Sequence, residues 1–511
     1  MGSVLRRASA WNGPLVTSLA MLLALATGLL IIRLSPLGAV LFAVLAIAGV
    51  ATLIEPLAGV AAALFLGLLW AYLHAEVPQI PDQIGQGFVA LALAAWLAHG
   101  LARRELCLPD LLDRRRGTPL FWPLLLYLGA ALFSLWDAVE LPVFGLPELI
   151  KWVQVLLLFF LVYQRLTPRR VVWLLGVLLA TGVFQAAVGV WQFGLRGDGP
   201  EHFAILGEGF YRAYGTFEQP NPYAGYLGLT LPVALGVAGV MVQDRLGGWI
   251  ARMRARETRR SNGASVWQIA LVSGAALAML VALLVSWSRG AWMGFGAAML
   301  AIAVALPRRT RWGLLLVTVL VIGGLGLATL GLIPGSVMER LTGFTEYVRF
   351  EDVRGVGINT SNYAVIERLA HWQAALEMFR YNPWNGVGFG CYGPAYVHFD
   401  LVNWPIALGH AHNYYLNTAA ETGIVGLVAY LALWGAVFWQ TWRATRRSRG
   451  LWRGIAVGLL GSWTHLSVHH LLDNLYVNNV HLHVAVMLGM LAVIVRQTNE
   501  TIPEGERIDP L

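Results

Sequence analysis

The chain has 511 residues, of which 57% are hydrophobic and 13% are charged, about half the charged share of an ordinary globular domain. Repeated apolar runs of about 20 residues predict membrane-spanning helices and exclude an ordinary soluble domain. The net charge of +8 comes almost wholly from arginine, since Lys151 is the only lysine. The arginines cluster in short loops between apolar runs, which indicates membrane topology rather than a nucleic-acid partner.

The order of the apolar runs predicts an all-α polytopic membrane protein with 12 to 14 transmembrane helices. Arg6 and Arg7 precede the first run and further basic loops recur at 103–117 and 245–260, so both termini are expected in the cytoplasm. The fourteen candidate spans are 14–32, 36–54, 56–74, 87–102, 119–137, 148–166, 171–194, 222–242, 266–286, 291–306, 311–331, 414–440, 453–471 and 478–495.

Four parts follow from this pattern. Residues 1–331 are expected to hold transmembrane helices and a smaller external segment at 196–221, and residues 332–411 a large external loop. Residues 412–496 should return to the membrane, and 497–511 should form a cytoplasmic tail. The middle of the large loop, Asn362–Arg380, has the apolar spacing of a helix. A long loop in a compact protein is usually functional.

Polar residues gather where the loop meets the next span, in His410-Ala411-His412-Asn413. Such a cluster costs free energy unless it is hydrated, paired or used in binding or catalysis. His412 can be a neutral base at physiological pH, but a histidine that only caps a helix is an equal alternative. The external acids Glu218, Glu367, Asp400 and Asp473 are further candidates for the base.

Three arginines are expected on the same external face. Arg289 lies at the tip of a hairpin, Ser286–Gly290, between two apolar spans. A guanidinium suits phosphate oxygens, although an arginine that reaches lipid headgroups is the bland alternative. Arg212, in a rigid loop that ends at Asn221, is a second phosphate or lipid contact, or it forms a structural ion pair with Glu218. Arg368, on the loop helix, is the partner of a neighbouring acid or a third candidate cation.

We predict no metal and no cofactor. His410 and His412 flank a single residue and have no adjacent carboxylate pair beyond Asp400 and Asp473, and the two cysteines have no zinc-type spacing. The glycines of Gly386–Gly390 follow no predicted strand, so they indicate a tight turn rather than a nucleotide site.

Four motifs in this order resemble the O-antigen ligase and polymerase superfamily. They are His412-Asn413 followed after nine residues by Gly423-Ile424-Val425-Gly426, the segment from Arg212 to Asn221, Ser288-Arg289-Gly290, and Asn382-Pro383 through Gly390. The resemblance implies a C-type glycosyltransferase-like helical protein of the bacterial inner membrane, with its active site facing the periplasm. Members transfer a glycan from undecaprenyl diphosphate to an acceptor, which is lipid A-core for ligases.

The family's essential histidine falls on His412, and its external arginines fall on Arg212 and Arg289, with Arg368 as a third. The resemblance implies that His412 and Arg289 are catalytic. We expect Arg212, Arg368, His410, Asn413 and Asn221 to bind substrate. The expected reaction is a metal-independent, inverting transfer from the lipid-linked glycan to lipid A-core, within membrane lipids.

Three alternatives remain open from the sequence. A polysaccharide polymerase or a protein O-oligosaccharyltransferase of the same superfamily would differ only in its acceptor. A transporter of lipid-linked glycans belongs to another class, and it should carry broken helices and paired charges near mid-membrane. Here the polar residues collect at one face, which favours an enzyme.

Overall fold

The computed structural model describes residues 36–76, 81–104, 120–205, 209–255, 264–342, 352–359 and 362–500. Helices make up 77% of the structure. The predicted span at 14–32 and the tail beyond residue 500 lie outside the described residues.

Seventeen α-helices follow one another in the described parts of the chain. They are α1 (Pro36–Ile54), α2 (Pro56–Gly67), α3 (Trp70–Glu76), α4 (Ile84–Arg103), α5 (Phe121–Ser134), α6 (Leu146–Arg165), α7 (Pro168–Val190), α8 (Pro220–Ala255), α9 (Val266–Val285), α10 (Arg289–Ala305), α11 (Thr310–Thr329), α12 (Gly335–Thr342), α13 (Tyr363–Tyr381), α14 (Tyr392–Tyr396), α15 (Tyr414–Arg447), α16 (Gly450–His469) and α17 (Val480–Glu500).

The prediction of an all-α polytopic membrane protein is confirmed. Within the described residues, eight helices are long and apolar enough to cross a membrane, or nine if α2 and α3, bent by 53°, form one span. Thirteen of the fourteen predicted spans coincide with helices. This number is smaller than the predicted 12 to 14 helices because four predicted spans are not among the eight. Helices α1, α5 and α10 have apolar parts under 18 residues, and α16 carries buried polar side chains.

Helix α16 packs most closely against α8 in the centre of the bundle. A Cβ on Gly236 of α8 would lie 2.3 Å from the backbone nitrogen of Gly458. A Cβ on Gly458 would lie 2.4 Å from the Cα of Val233. Small residues let membrane helices approach until their backbones touch. This contact fixes the end of α16, and therefore the residues that follow it, against the rest of the bundle.

Helix α15 is interrupted at Gly423, whose φ of 61° and ψ of −163° are not helical. Residues 382–390, here called the docking turn, fill the break. Val387 donates a backbone hydrogen bond to the carbonyl of Ala420 (2.9 Å), and Ile424 donates one to Pro383 (2.8 Å). A Cβ on Gly423 would lie 2.3 Å from the carbonyl carbon of Trp384, so only glycine fits there.

The docking turn lies where the sequence predicts a tight turn. Gly386, Gly388 and Gly390 all have positive φ, between 70° and 108°, a conformation that glycine adopts without steric cost. The predicted loop helix is also present as α13, which ends at Tyr381, directly before Asn382-Pro383.

Candidate active site

His412 is held at the entrance of α15 by capping and backbone bonds. Asn413 is the residue before the helix, and its side-chain oxygen accepts hydrogen bonds from the amides of Tyr415 (3.0 Å) and Leu416 (3.1 Å), an N-cap arrangement. The amide of Tyr414 donates to the carbonyl of His470 (2.8 Å). The residue that caps the helix is therefore Asn413 and not His412. The role of Asn413 in substrate binding stays a prediction.

Asp473 is the carboxylate closest to both predicted histidines. Its Oδ1 lies 3.5 Å from His412 Nδ1 and 3.7 Å from His410 Nε2. The backbone N–H of His412 donates to His410 Nδ1 (3.1 Å). In a neutral His410 the proton therefore sits on Nε2, on the side of Asp473. The sequence names Asp473 only as one of four external acids, and the structure places it at the histidines.

The protonation states follow from burial and neighbouring charge. Burial, together with the charge of His412, lowers the pKa of His410 to about 4, so this imidazole is neutral at physiological pH. Burial raises the pKa of Asp473, but the neighbouring imidazoles of His412, His410 and His469 outweigh it and hold this pKa below its ordinary value. The site thus contains a buried carboxylate beside His412 Nδ1.

His371, which sequence reasoning missed, forms the wall behind His412. Its side chain is 1% exposed, and its Nδ1 lies 3.0 Å from the hydroxyl of Tyr392. The ring centroid is 5.9 Å from that of His412. Burial, with the charges of His412 and His410, lowers the pKa of His371 to about 4. In the sequence it is one polar residue on a helix, which carries no signal of its own.

Arg212 supports the hairpin tip between α9 and α10. Its Nε donates to the carbonyl of Ser286 (3.0 Å), and its Nη2 donates to the side-chain oxygen of Asn221 (3.3 Å). The same oxygen of Asn221 accepts a bond from the Ser288 hydroxyl (2.9 Å). Asn221 therefore joins Arg212 to the residue that precedes Arg289.

Arg340, on α12, is a fourth cation at this place and was not predicted. Its Nε and Nη2 both donate to the carbonyl of Trp287, at 3.3 and 2.9 Å. Trp287 has a φ of 55°, an uncommon conformation for a bulky residue. Arg212 and Arg340 thus donate hydrogen bonds to two successive carbonyls of the hairpin tip, those of Ser286 and Trp287.

The four arginines are close enough to repel one another. Burial, together with the charges of Arg340, Arg368 and Arg289, lowers the pKa of Arg212 to about 9. Burial, together with the charges of Arg289 and Arg368, lowers the pKa of Arg340 to about 10. A guanidinium stays protonated at neutral pH, so the cluster presents concentrated positive charge.

The arginine cluster and the histidines belong to one site. A Cβ on Gly290, next to Arg289, would lie 2.7 Å from Cδ2 of His469. The backbone carbonyl of His469 accepts the amide of Asp473 (3.0 Å). The charge of Arg368 also lowers the pKa of His410. All the predicted site residues therefore lie at one end of the bundle, where the arginine pattern predicts an external face.

Three of these residues are also spaced as metal ligands. Ligand atoms of His410, His412 and Asp473 lie within 4.8 Å of one another, and histidine with a carboxylate suits zinc. The same three residues form an acid–base group without a metal, so the expectation of no metal stays a prediction.

Residues 274–431 match the family model described as O-antigen ligase. Over that segment, the match supports the resemblance to the O-antigen ligase and polymerase superfamily. No curated protein matches the chain by sequence. The segment matched to the O-antigen ligase model contains Arg289, Arg340, Arg368, His410 and His412. The fold completes the cluster with residues from outside that segment, namely Arg212, Asn221 and Asp473.

Proposed function

We propose that this protein is an O-antigen ligase of the bacterial inner membrane. It transfers a glycan from undecaprenyl diphosphate to lipid A-core at the periplasmic face, without a metal and with inversion at the anomeric carbon. The observation that supports this most is the meeting of four guanidinium groups with a carboxylate-paired imidazole at one end of a helical membrane protein.

The arginines suit the donor's leaving group. Transfer breaks the bond between the anomeric carbon and the diphosphate oxygen, so negative charge develops on that oxygen. Positive groups held in advance near this oxygen lower the barrier. Arg289 and Arg368 bind the diphosphate. Arg212 and Arg340 already donate to Ser286 and Trp287, so they mainly hold the tip that presents Arg289.

The histidine pair suits the acceptor. The acceptor hydroxyl oxygen forms the new bond to the anomeric carbon, and its proton passes to His412 Nε2. Asp473 faces Nδ1 at 3.5 Å, so it favours the tautomer with its proton on Nδ1 and stabilises the imidazolium after proton transfer. Attack from the side opposite the diphosphate inverts the configuration.

The acceptor separates the ligase from its alternatives. A polymerase of the superfamily would join the glycan to another lipid-linked glycan, and the protein-modifying branch would use a hydroxyl of a protein. All three reactions use the same donor and the same base. A transporter would release no free undecaprenyl diphosphate.

The test is a transfer assay with purified protein in detergent, which has no second compartment. Undecaprenyl-diphosphate-linked glycan is supplied with lipid A-core, with a second lipid-linked glycan, or with a protein acceptor. We expect a glycan–lipid A-core product and a loss of about 10²–10⁴-fold in His412→Ala, the usual contribution of a general base.

His398→Ala is the matched control, because His398 lies in the same external loop and is exposed. It should keep normal transfer. Full activity of His412→Ala would refute the assignment of the base. A product with one of the other acceptors would replace the ligase by that alternative.

A further inference from the structure

A groove runs along the outside of the bundle between α5 and the part of α15 that follows the break at Gly423. Its volume is about 760 Å³, and its lining is almost entirely apolar. The lining residues are Trp122, Leu125, Leu126, Gly129, Ala130 and Phe133 from α5, and Ile424, Val425, Val428 and Ala429 from α15.

The groove has the length of a lipid chain in one leaflet. The α5 residues that line it recur at helical spacing from Trp122 to Phe133, so they form one continuous face of the helix. Eleven steps of about 1.5 Å give a length of about 17 Å. The hydrocarbon core of a bilayer is about 30 Å thick, so this length is about that of a lipid chain in one leaflet.

The outer end of the groove meets the docking turn. Phe389 of this turn donates its backbone N–H to the hydroxyl of Ser134, at the end of α5 (3.1 Å). Ile424, which lines the groove, donates to the carbonyl of Pro383. Trp384 is 70% exposed beside these contacts, and tryptophan is enriched at the membrane–water interface.

The same turn forms part of the active-site wall. Tyr392 follows it directly, and the Tyr392 amide donates to the side chain of Glu421 (3.2 Å). The Tyr392 hydroxyl contacts His371 (3.0 Å), which packs against His412. The headgroup end of a lipid chain in the groove would therefore lie next to the docking turn, on the side that leads to His412.

We propose that this groove holds the hydrocarbon chain of a lipid-anchored acceptor. The inference rests on the proposed function and names the acceptor class as lipid rather than protein. The donor is assigned elsewhere, because Arg289, which suits its diphosphate, follows the α9–α10 hairpin tip that Arg212 and Arg340 hold. His412 is close to both regions, through His371 on the side of the groove and through Asp473 on the side of the arginines, as a transfer between two membrane-anchored substrates requires.

The test fills the groove with a side chain. A Cβ on Gly129 meets nothing within 4 Å, so Gly129→Phe projects into the groove without a clash inside the protein. Gly274→Phe is the matched control, because Gly274 lies on another span and has equally open space. Val428→Trp, from the α15 side where Val428 is 56% exposed, is a second variant in case Gly129→Phe does not fold.

We expect both groove variants to raise the KM for lipid A-core at least about tenfold, a free-energy change of about 1.4 kcal/mol. The KM for the lipid-linked donor should not change, and neither should transfer to a water-soluble core glycan without its lipid. The control should behave as the wild type.

Two results would overturn the inference while leaving the proposed function intact. One is a raised KM for the donor instead of the acceptor, and the other is equal behaviour of the groove variants and Gly274→Phe. A wild-type protein that transfers glycan to no acceptor would refute the proposed function, and the groove inference with it.

Discussion

Arginines lie at both ends of the helix bundle, and their burial and charged neighbours differ. Arg453, at the end away from His412, is completely buried. It donates to the carbonyls of Thr445, Ala305 and Leu306 and to the side chain of Gln243. These carbonyls belong to helix ends, which lack partners within their own helices. Its guanidinium group therefore bonds within the protein and stabilises the fold.

The arginines beside His412 have a different environment. The charged groups that act on Arg212 are Arg340, Arg368 and Arg289, so these guanidiniums raise one another's energy. An anion bound among them would relieve that repulsion. Arg212 and Arg340 also donate to carbonyls, as Arg453 does, but they are only partly buried. The comparison shows that burial and neighbouring charge, rather than carbonyl partners, distinguish a structural arginine from a binding one.

The largest effect is expected from Arg289→Gln. Removing this charge takes away stabilisation of the leaving diphosphate, so kcat/KM should fall about 10²–10³-fold. The midpoint of heat-induced unfolding in detergent should stay close to that of the wild type. Arg380→Gln is the control, because Arg380 is exposed on the loop helix and pairs with Glu377. If Arg289→Gln instead prevents folding, Arg289 is structural like Arg453.

Arg453→Met should have the opposite outcome. It leaves helix-end carbonyls without their donor, at a cost on the order of 1–3 kcal/mol for each buried group left unsatisfied. We expect a lower midpoint of heat-induced unfolding but an unchanged kcat per folded molecule. The exposed Arg447→Met, on the same face of the molecule, should leave both quantities unchanged. A selective loss of kcat would contradict the structural assignment.

Acid should weaken the His412 end before the other end. The pKa values of His371 and His410 are lowered to about 4 in the folded protein, below the ordinary value of about 6.5. The unfolded chain therefore binds more protons in between, and stability that is present above about pH 6.5 is lost as the pH falls through 4.

Hydrogen exchange measured at pH 7 and about pH 4.5 checks this prediction. Between pH 7 and about pH 4.5, amides of α13 and the docking turn should lose more of their protection against exchange than amides around Arg453. His371→Gln should reduce this loss of protection. Equal acid sensitivity at both ends would contradict the prediction.

The smallest effect is expected from a chelator. Asp473 and His412 can transfer a proton without a metal, so removing divalent cations should leave kcat unchanged. The measurement is transfer after treatment with EDTA, followed by added zinc. Activity that disappears and then returns with zinc would instead assign His410, His412 and Asp473 as ligands.

Local sequence was sufficient for the helices. The spans follow from the length of continuous apolar runs, and the loop helix follows from apolar residues three and four positions apart within 362–380. Both features are read directly from the sequence. The docking turn was also predictable as a turn, because its glycines follow Asn382-Pro383.

The partners within the site could not be predicted in this way. Arg212 and Arg340 donate to carbonyls of Ser286 and Trp287, and every residue has a carbonyl. Asp473 meets His412 only because α16 carries it there, 61 residues further along the sequence. Such contacts depend on how helices pack, and no local pattern of residue types encodes them.

Helix α5 has a consequence for the bilayer itself. Its 14 residues extend about 21 Å, whereas the hydrocarbon core is about 30 Å thick. A short apolar helix thins the surrounding bilayer at a modest cost. Lipids beside Phe121–Ser134 should therefore have their headgroups deeper in the membrane than lipids elsewhere. Under the proposed function, a sugar attached to such a lipid would lie closer to the imidazole of His412 than a sugar on a lipid in the unthinned bilayer.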